Sequence, residues 1–181
     1  PYHPDEGKAG YTSAWFMFTN KTLDLPRYHY PALIPLIELV FLVLIFIPIL
    51  WVKLFLTSPD LILSHLNNLP DIFQNYIALR SDVLIMFLSR YLMVIFSFLT
   101  MIFVYFVSKT LFSSRLIGLL SVLVLAVNLR AVTSSQLDLP DGYSGFFLVM
   151  AFYIILKLKD NNTLKNYILS AVCIGLAISA K

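Results

Sequence analysis

Charge is scarce in this chain. Only 13% of its 181 residues are Asp, Glu, Lys or Arg, against about 25% in ordinary soluble domains. With 59% hydrophobic residues and a mean hydropathy of +0.83, the composition excludes a soluble domain and places the chain in a bilayer. The formal charge is only +3 and the basic residues are scattered between apolar runs. No stripe exists that could neutralise phosphates, which excludes nucleic acid as a partner. One cysteine, Cys173, is present, so neither an intrachain disulfide nor a cysteine metal cluster can form. Its place in an apolar run makes it helix- or lipid-facing filler. The six glycines form no Gly-rich turn of the kind that cradles a dinucleotide or nucleoside triphosphate. His3, His29 and His65 are too dispersed for a zinc site, so no protein-only metal site and no cofactor are expected. A divalent ion held by carboxylates is the one metal role left open.

What is present is a series of apolar runs separated by polar joints. Residues 1–30 are polar and aromatic-rich. After Pro4, the stretch Asp5 to Phe18 can form a short helix with Tyr11, Trp15 and Phe18 on one face, suited to the membrane surface. Pro26 and Pro31 bracket an extended or turn segment that holds His29. Residues 32–57 are long and apolar enough to span, but contain Glu38, Pro48 and Lys53. Residues 58–82, with Pro59 and Pro70 among several charges, read as short interfacial helices broken by proline. The cleanest run, 91–108, covers roughly 27 Å as a helix. Further spans are expected at 116–136, 143–156 and 167–180. The chain begins at Pro1 and stops at Lys181 directly after an apolar run. The expectation is a piece incomplete at both ends, with no recognisable signal peptide.

Sidedness follows from the basic residues. The joint from Lys109 to Arg115 holds two basic residues and no acid, and that from Lys157 to Lys165 holds three lysines. Cytoplasmic loops collect such residues, so both joints should face the cytoplasm and the joint around Asp138 and Asp141 should face outward. If 32–57 and 91–108 both crossed, Asp5 and Asp141 would lie on opposite sides. The imperfections in 32–57 suggest that it enters the outer leaflet or lies along it and returns, making 1–90 one external loop with interfacial or re-entrant helices and 91–181 the transmembrane bundle. The alternative is a plain kinked span. The expected fold is therefore all-α, a polytopic helical bundle with a large external first loop containing juxtamembrane helices.

Acids beside apolar spans are costly and by default candidates for chemistry. The pair Asp5-Glu6 is the first such candidate, with a solvated helix start after Pro4 as the competing reading. Asp141 is the second, with Asp138 as its competitor. Arg90 and Arg130 are candidates for a site or, equally, side chains that snorkel to the headgroups.

Several ordered motifs carry a resemblance. His3-Pro4-Asp5-Glu6 is followed by Tyr28-His29-Tyr30-Pro31-Ala32-Leu33, then by Leu88-Ser89-Arg90-Tyr91 opening a span. Phe106-Val107-Ser108-Lys109-Thr110-Leu111-Phe112, Asp141-Gly142-Tyr143-Ser144-Gly145-Phe146-Phe147 and Gly175-Leu176-Ala177-Ile178-Ser179-Ala180-Lys181 come after it. The series resembles the C-type membrane glycosyltransferases, within them family 39. That family includes the protein O-mannosyltransferases, the aminoarabinose transferases of lipid A and bacterial relatives with a lipopolysaccharide-sugar transferase-like domain. The resemblance covers nearly all of this chain but only the N-terminal part of such an enzyme. The chain departs from the pattern at Pro31-Ala32, where the family often has two prolines.

The resemblance implies a GT-C-like bundle and an inverting transfer of a sugar from a polyprenyl-phosphate to an acceptor hydroxyl. Asp5 would be the general base, with Glu6 beside it and Asp141 completing the site. Arg90, Arg130 and Lys181 would stabilise the departing lipid phosphate, and Asp138 and His29 would contact substrate. The implied partners are a lipid-linked sugar donor, a protein, lipid or glycan acceptor, and the membrane. The implied location is multi-pass in the plasma (inner) membrane, or in the endoplasmic reticulum if the source is eukaryotic. Two other classes compete: a transporter or flippase whose arginines and acids line a path, and a non-catalytic membrane subunit. Repeated halves with interrupted spans would favour transport, and the sequence shows no such repeat.

Overall fold

The computed structural model describes residues 10–24, 32–49, 52, 56, 69–137, 139–159 and 162–180. Among these every regular element is helical, as a chain in hydrocarbon requires when its backbone must bond within each segment. We number the helices α1 (Tyr11–Asn20), α2 (Leu33–Phe41), α3 (Leu69–Phe112), α4 (Arg115–Val127), α5 (Leu129–Ser135), α6 (Pro140–Leu158) and α7 (Leu164–Ser179). The protein is an all-α polytopic membrane protein. Ser89–Phe112 and Pro140–Leu158 are long and apolar enough to cross a membrane, and α4 with α5 makes a third crossing if the bent pair counts as one.

The bundle is built on α3. The antiparallel neighbour α4 and the parallel α6 pack on it, and α7 packs on α6. Phe96 and Phe103 lie seven residues, two turns, apart and so point the same way. Phe96 meets Tyr143 and Phe146 edge-on, at centroid distances of 4.9 and 5.0 Å. One step down, Phe103 meets Phe146 and Tyr153 at 5.8 and 5.7 Å. Such edge-to-face pairs are each worth about 0.5–1.5 kcal/mol beyond simple contact, and they form a continuous seam between α3 and α6. The α6–α7 contact is closer. Ala151, Ile154 and Cys173 are buried together, and the Ser144 hydroxyl donates to the Ala177 carbonyl at 3.0 Å. Cys173 therefore faces a helix, not lipid.

Three segments differ from the sequence reading. The part of 58–82 that is described is not a set of short helices broken by proline: α3 runs unbroken for 44 residues, about 66 Å at the usual rise. Pro70 is its second residue, where a missing N–H leaves no bond unmade. Its first twenty residues, 69–88, lie outside the crossing segment Ser89–Phe112. The stretch 116–136 is not one straight span, because α4 and α5 meet at an angle of 69°. Asn128 causes this: its backbone is extended, and its side-chain oxygen accepts from the N–H groups of Arg130 and Ala131 at 3.0 and 3.3 Å. It starts a new helix instead of continuing the old one. In the first loop, α1 begins at Tyr11 and buries Tyr11, Ala14 and Met17, while Trp15 and Phe18 stack at 5.6 Å.

After α2 the chain widens into a π-helical turn over Leu42–Phe46 before Pro48. A wider turn gives the proline ring room against the carbonyl one turn back. Among the described residues this apolar helical segment covers Leu33–Ile49.

Close helix approach makes a specific demand at α4. A Cβ on Gly118 would lie 2.9 Å from the Tyr105 ring and 3.2 Å from the Tyr105 carbonyl oxygen, whereas one on Gly175 would meet nothing within 4 Å. Gly118→Val should therefore destabilise by about 1–3 kcal/mol, while Gly175→Ala should be neutral or stabilising by up to about 1 kcal/mol. Thermal unfolding of the detergent-solubilised protein checks the contrast, and equal effects would show that α3 and α4 are not in this register.

Candidate functional site

Four sequence motifs converge at one end of the bundle. Ile34, Leu92, Met93, Tyr143 and Ala180 form a buried cluster there, with Leu33, Ile37, Phe41 and Phe96 packed against it. These residues come from α2, α3, α6 and the end of α7. Gly142 lets the chains meet, since a Cβ at that position would collide with the Met93 methyl group. The basic residues Lys109, Arg115, Lys157, Lys159 and Lys165 all belong to the joints at the opposite end. Two of them lie over tyrosine rings, Lys109 over Tyr105 at 5.9 Å and Lys157 over Tyr153 at 4.8 Å.

At the centre of the convergent end is Glu38, 4% exposed. Its Oε1 accepts from the Ser89 hydroxyl of α3 at 2.8 Å and from the Tyr143 hydroxyl of α6 at 3.2 Å. Tyr143 is fully buried, and the edge contact with Phe96 fixes its ring. An acid buried among apolar residues is tolerated only when such bonds are made. Glu38 thus joins three helices at one oxygen.

The expected site residues are distributed around this node. Ser89 precedes Arg90, which is half-buried and lines an open groove of about 250 Å³ with Phe87, Tyr91, Val94 and Gln136. Asp141 is exposed in the first turn of α6, two residues before Tyr143. A negative side chain there also complements the positive end of the helix. Both residues therefore belong to the rim that Glu38 ties together. Arg130 is exposed on α5 and is not among the groove's walls. Asp5, Glu6, His29, Asp138 and Lys181 lie outside the described residues. Among the described residues, no three of His, Cys, Asp and Glu gather where a metal could sit.

The sequence reading missed Glu38 as part of this rim and used it only as an argument that 32–57 fails to span. A sharper signal was available. Ile34, Glu38 and Leu42 recur every four residues and all three are buried, so the acid lies on the packing face of its helix. An ionisable residue on the buried face of an apolar helix is itself a candidate for function. A second hollow of about 470 Å³, between α3, α6 and α7, is walled by apolar side chains including Val104, Val107, Leu148, Phe152 and Ile155. It offers no group for chemistry.

The resembling motifs have clear physical work in this arrangement. In 141–147, Gly142 admits Met93, Tyr143 reaches Glu38, Ser144 bonds α7, and Phe146 joins the aromatic seam. In 175–180, Ala177 and Ala180 are buried against α6 and the cluster. Most of each motif is thus accounted for by packing; Asp141 is exposed and Arg90 half-buried at the rim.

Comparison with known proteins agrees with this picture. Neither the curated proteins nor the solved structures give a match. The family model described as dolichyl-phosphate-mannose-protein mannosyltransferase matches residues 73–181, from early α3 to the end of the chain. That match spans more than half of the sequence and contains the Ser89-Arg90 and Asp141–Phe147 motifs of the rim, so the chain belongs to the dolichyl-phosphate-mannose-protein mannosyltransferase family of membrane glycosyltransferases.

Proposed function

We propose that this protein transfers a sugar, with inversion, from a polyprenyl-phosphate donor to an acceptor hydroxyl, and that the rim around Glu38 is where transfer takes place. The observation that carries this reading is the gathering of Arg90 and Asp141 at the bundle end opposite the basic joints. By the positive-inside tendency that end faces away from the cytoplasm, the side on which the first loop with Asp5 must also lie for one site to exist.

The chemistry follows from the reaction's charge flow. The acceptor oxygen attacks the anomeric carbon and loses its proton to the Asp5 carboxylate, while the bond from that carbon to the phosphate oxygen breaks and its electron pair leaves with the lipid phosphate. A positioned carboxylate contributes about 10²–10⁴-fold to such a step. Negative charge develops on the leaving phosphate, and a fixed cation in a water-poor setting stabilises it. Arg90, half-buried beside Phe87, Tyr91 and Val94, is placed to supply that cation. Arg130 and Lys181 are further cations for the same phosphate. Asp141 orients the sugar or the acceptor, with Asp138, Glu6 and His29 as neighbouring contacts. The hexose or pentose carried and the acceptor, whether protein, lipid or glycan, belong to this proposal, as do the absence of a cofactor and a plasma-membrane or endoplasmic-reticulum location.

Replacing Asp5 by Asn in the full-length protein should lower sugar transfer by about 10²–10⁴-fold with insertion unchanged. Transfer assays on membranes supplied with dolichyl-phosphate mannose check this, and retained transfer removes Asp5 as the base. In the same assay Asp141→Asn should cost more activity than Asp138→Asn; the reverse order would exchange their roles.

Single cysteines placed near residues 20, 60, 112 and 140 should label from outside, outside, inside and outside, in that order. Labelling of positions 20 and 140 from opposite sides would leave Asp5 and Asp141 without a common site.

A further inference from the structure

Among the described side chains Glu38 is the only buried carboxylate, since Asp24 and Asp141 are exposed. A leucine or methionine would fill the same slot between Ile34 and Leu42 with far less cost of desolvation. What an apolar residue cannot do is accept two hydroxyl donors at once. Glu38 does so, and the donors sit at defined places: Ser89 is the residue before Arg90, and Tyr143 is two residues after Asp141. Neither donor can drift easily. Tyr143 is fully enclosed, with its ring against Phe96 at 4.9 Å, and Ser89 is buried on a continuous helix.

We propose that Glu38 is a positioning residue for transfer: through Ser89 and Tyr143 it holds the start of the crossing part of α3 and the first turn of α6 at one spacing, and so fixes Arg90 relative to Asp141. The inference rests on the proposed function for its consequence, but its geometric claim stands apart from it. Glu38 itself is enclosed and acts through the two helices, not on the sugar. Tight placement matters at this point because a misplacement of about 1 Å in a reacting constellation can cost on the order of 100-fold in rate. The aromatic seam further down sets the α3–α6 distance through compliant ring contacts, whereas the shared oxygen sets it at the rim with two directional bonds of 2.8 and 3.2 Å.

The test compares Glu38→Met with Glu38→Gln in the full-length protein carrying Cys173→Ala. Met fills the space without accepting either bond, and Gln retains a carbonyl oxygen for both. Spin labels on cysteines at Tyr91 and Asp141, both exposed, report the spacing between α3 and α6 without any donor. A narrow distance distribution is expected in the parent and in Glu38→Gln, and a broadened or shifted one in Glu38→Met. With the label sites restored and dolichyl-phosphate mannose as donor, kcat should fall about 10- to 100-fold in Glu38→Met and stay near the parent value in Glu38→Gln. The thermal midpoint of Glu38→Met should stay close to the parent value, because relief of the buried acid's desolvation offsets the loss of an acceptor for two buried hydroxyls. An unaltered distance distribution in Glu38→Met overturns the proposal, as does parental turnover in the presence of an altered one, or a loss of turnover that merely follows a lowered midpoint. Asp5→Asn, assayed alongside, tests the other reading: its retained transfer would sink the catalytic assignment and leave the distance result standing.

Discussion

Where α2 meets α3 and α6, one carboxylate oxygen accepts hydroxyl protons from two other helices, 51 and 105 residues away in sequence. In a bilayer this contact carries unusual consequence. Helix packing there gains little from the hydrophobic effect, because lipid chains are as apolar as leucine. Shape and directional polar bonds do the sorting instead. The α3–α6 pair has both: a seam of edge-on aromatic rings along its length and the Glu38 bonds at its rim. The α6–α7 pair repeats the design with small residues and the Ser144 bond to the Ala177 carbonyl.

The same contact explains how the first apolar segment is attached to the bundle. The α2 helix and the π-helical turn after it expose Val40, Val43 and Leu44, yet α2 buries Ile34, Pro35 and Glu38. Its exposed face is suited to lipid and its buried face to α3 and α6. Function in a family of membrane glycosyltransferases requires a polar constellation held at the edge of a largely apolar body. The buried Glu38 carboxylate bonds Tyr143, two residues after the exposed Asp141, and Ser89, next to Arg90, and so ties α6 and α3 together at the candidate site.

The broken helix pair α4–α5 shows a different use of polar side chains. Asn128 interrupts an apolar run by satisfying the first N–H groups of α5 with its own oxygen. The chain then turns by 69° and brings Gln136 to the groove that Arg90 lines. Local side-chain bonding, costing nothing in long-range contacts, thus shapes one wall of the candidate site.

Composition and periodicity were sufficient for the class of molecule. Low charge and long apolar runs dictate membrane helices, because an unsatisfied backbone group in hydrocarbon is too costly for anything else, and the ordered motifs around Arg90 and Asp141 led to the right family. Proline was misread at Pro70, since its effect depends on whether it falls inside a helix or at its start, and only the structure decides where α3 begins. Glu38 was visible as an oddity but not as a partner of Ser89 and Tyr143. A hydrogen bond between residues 105 positions apart has no signature in local spacing; it exists because three helices cross at one height, and that height is set by tertiary packing.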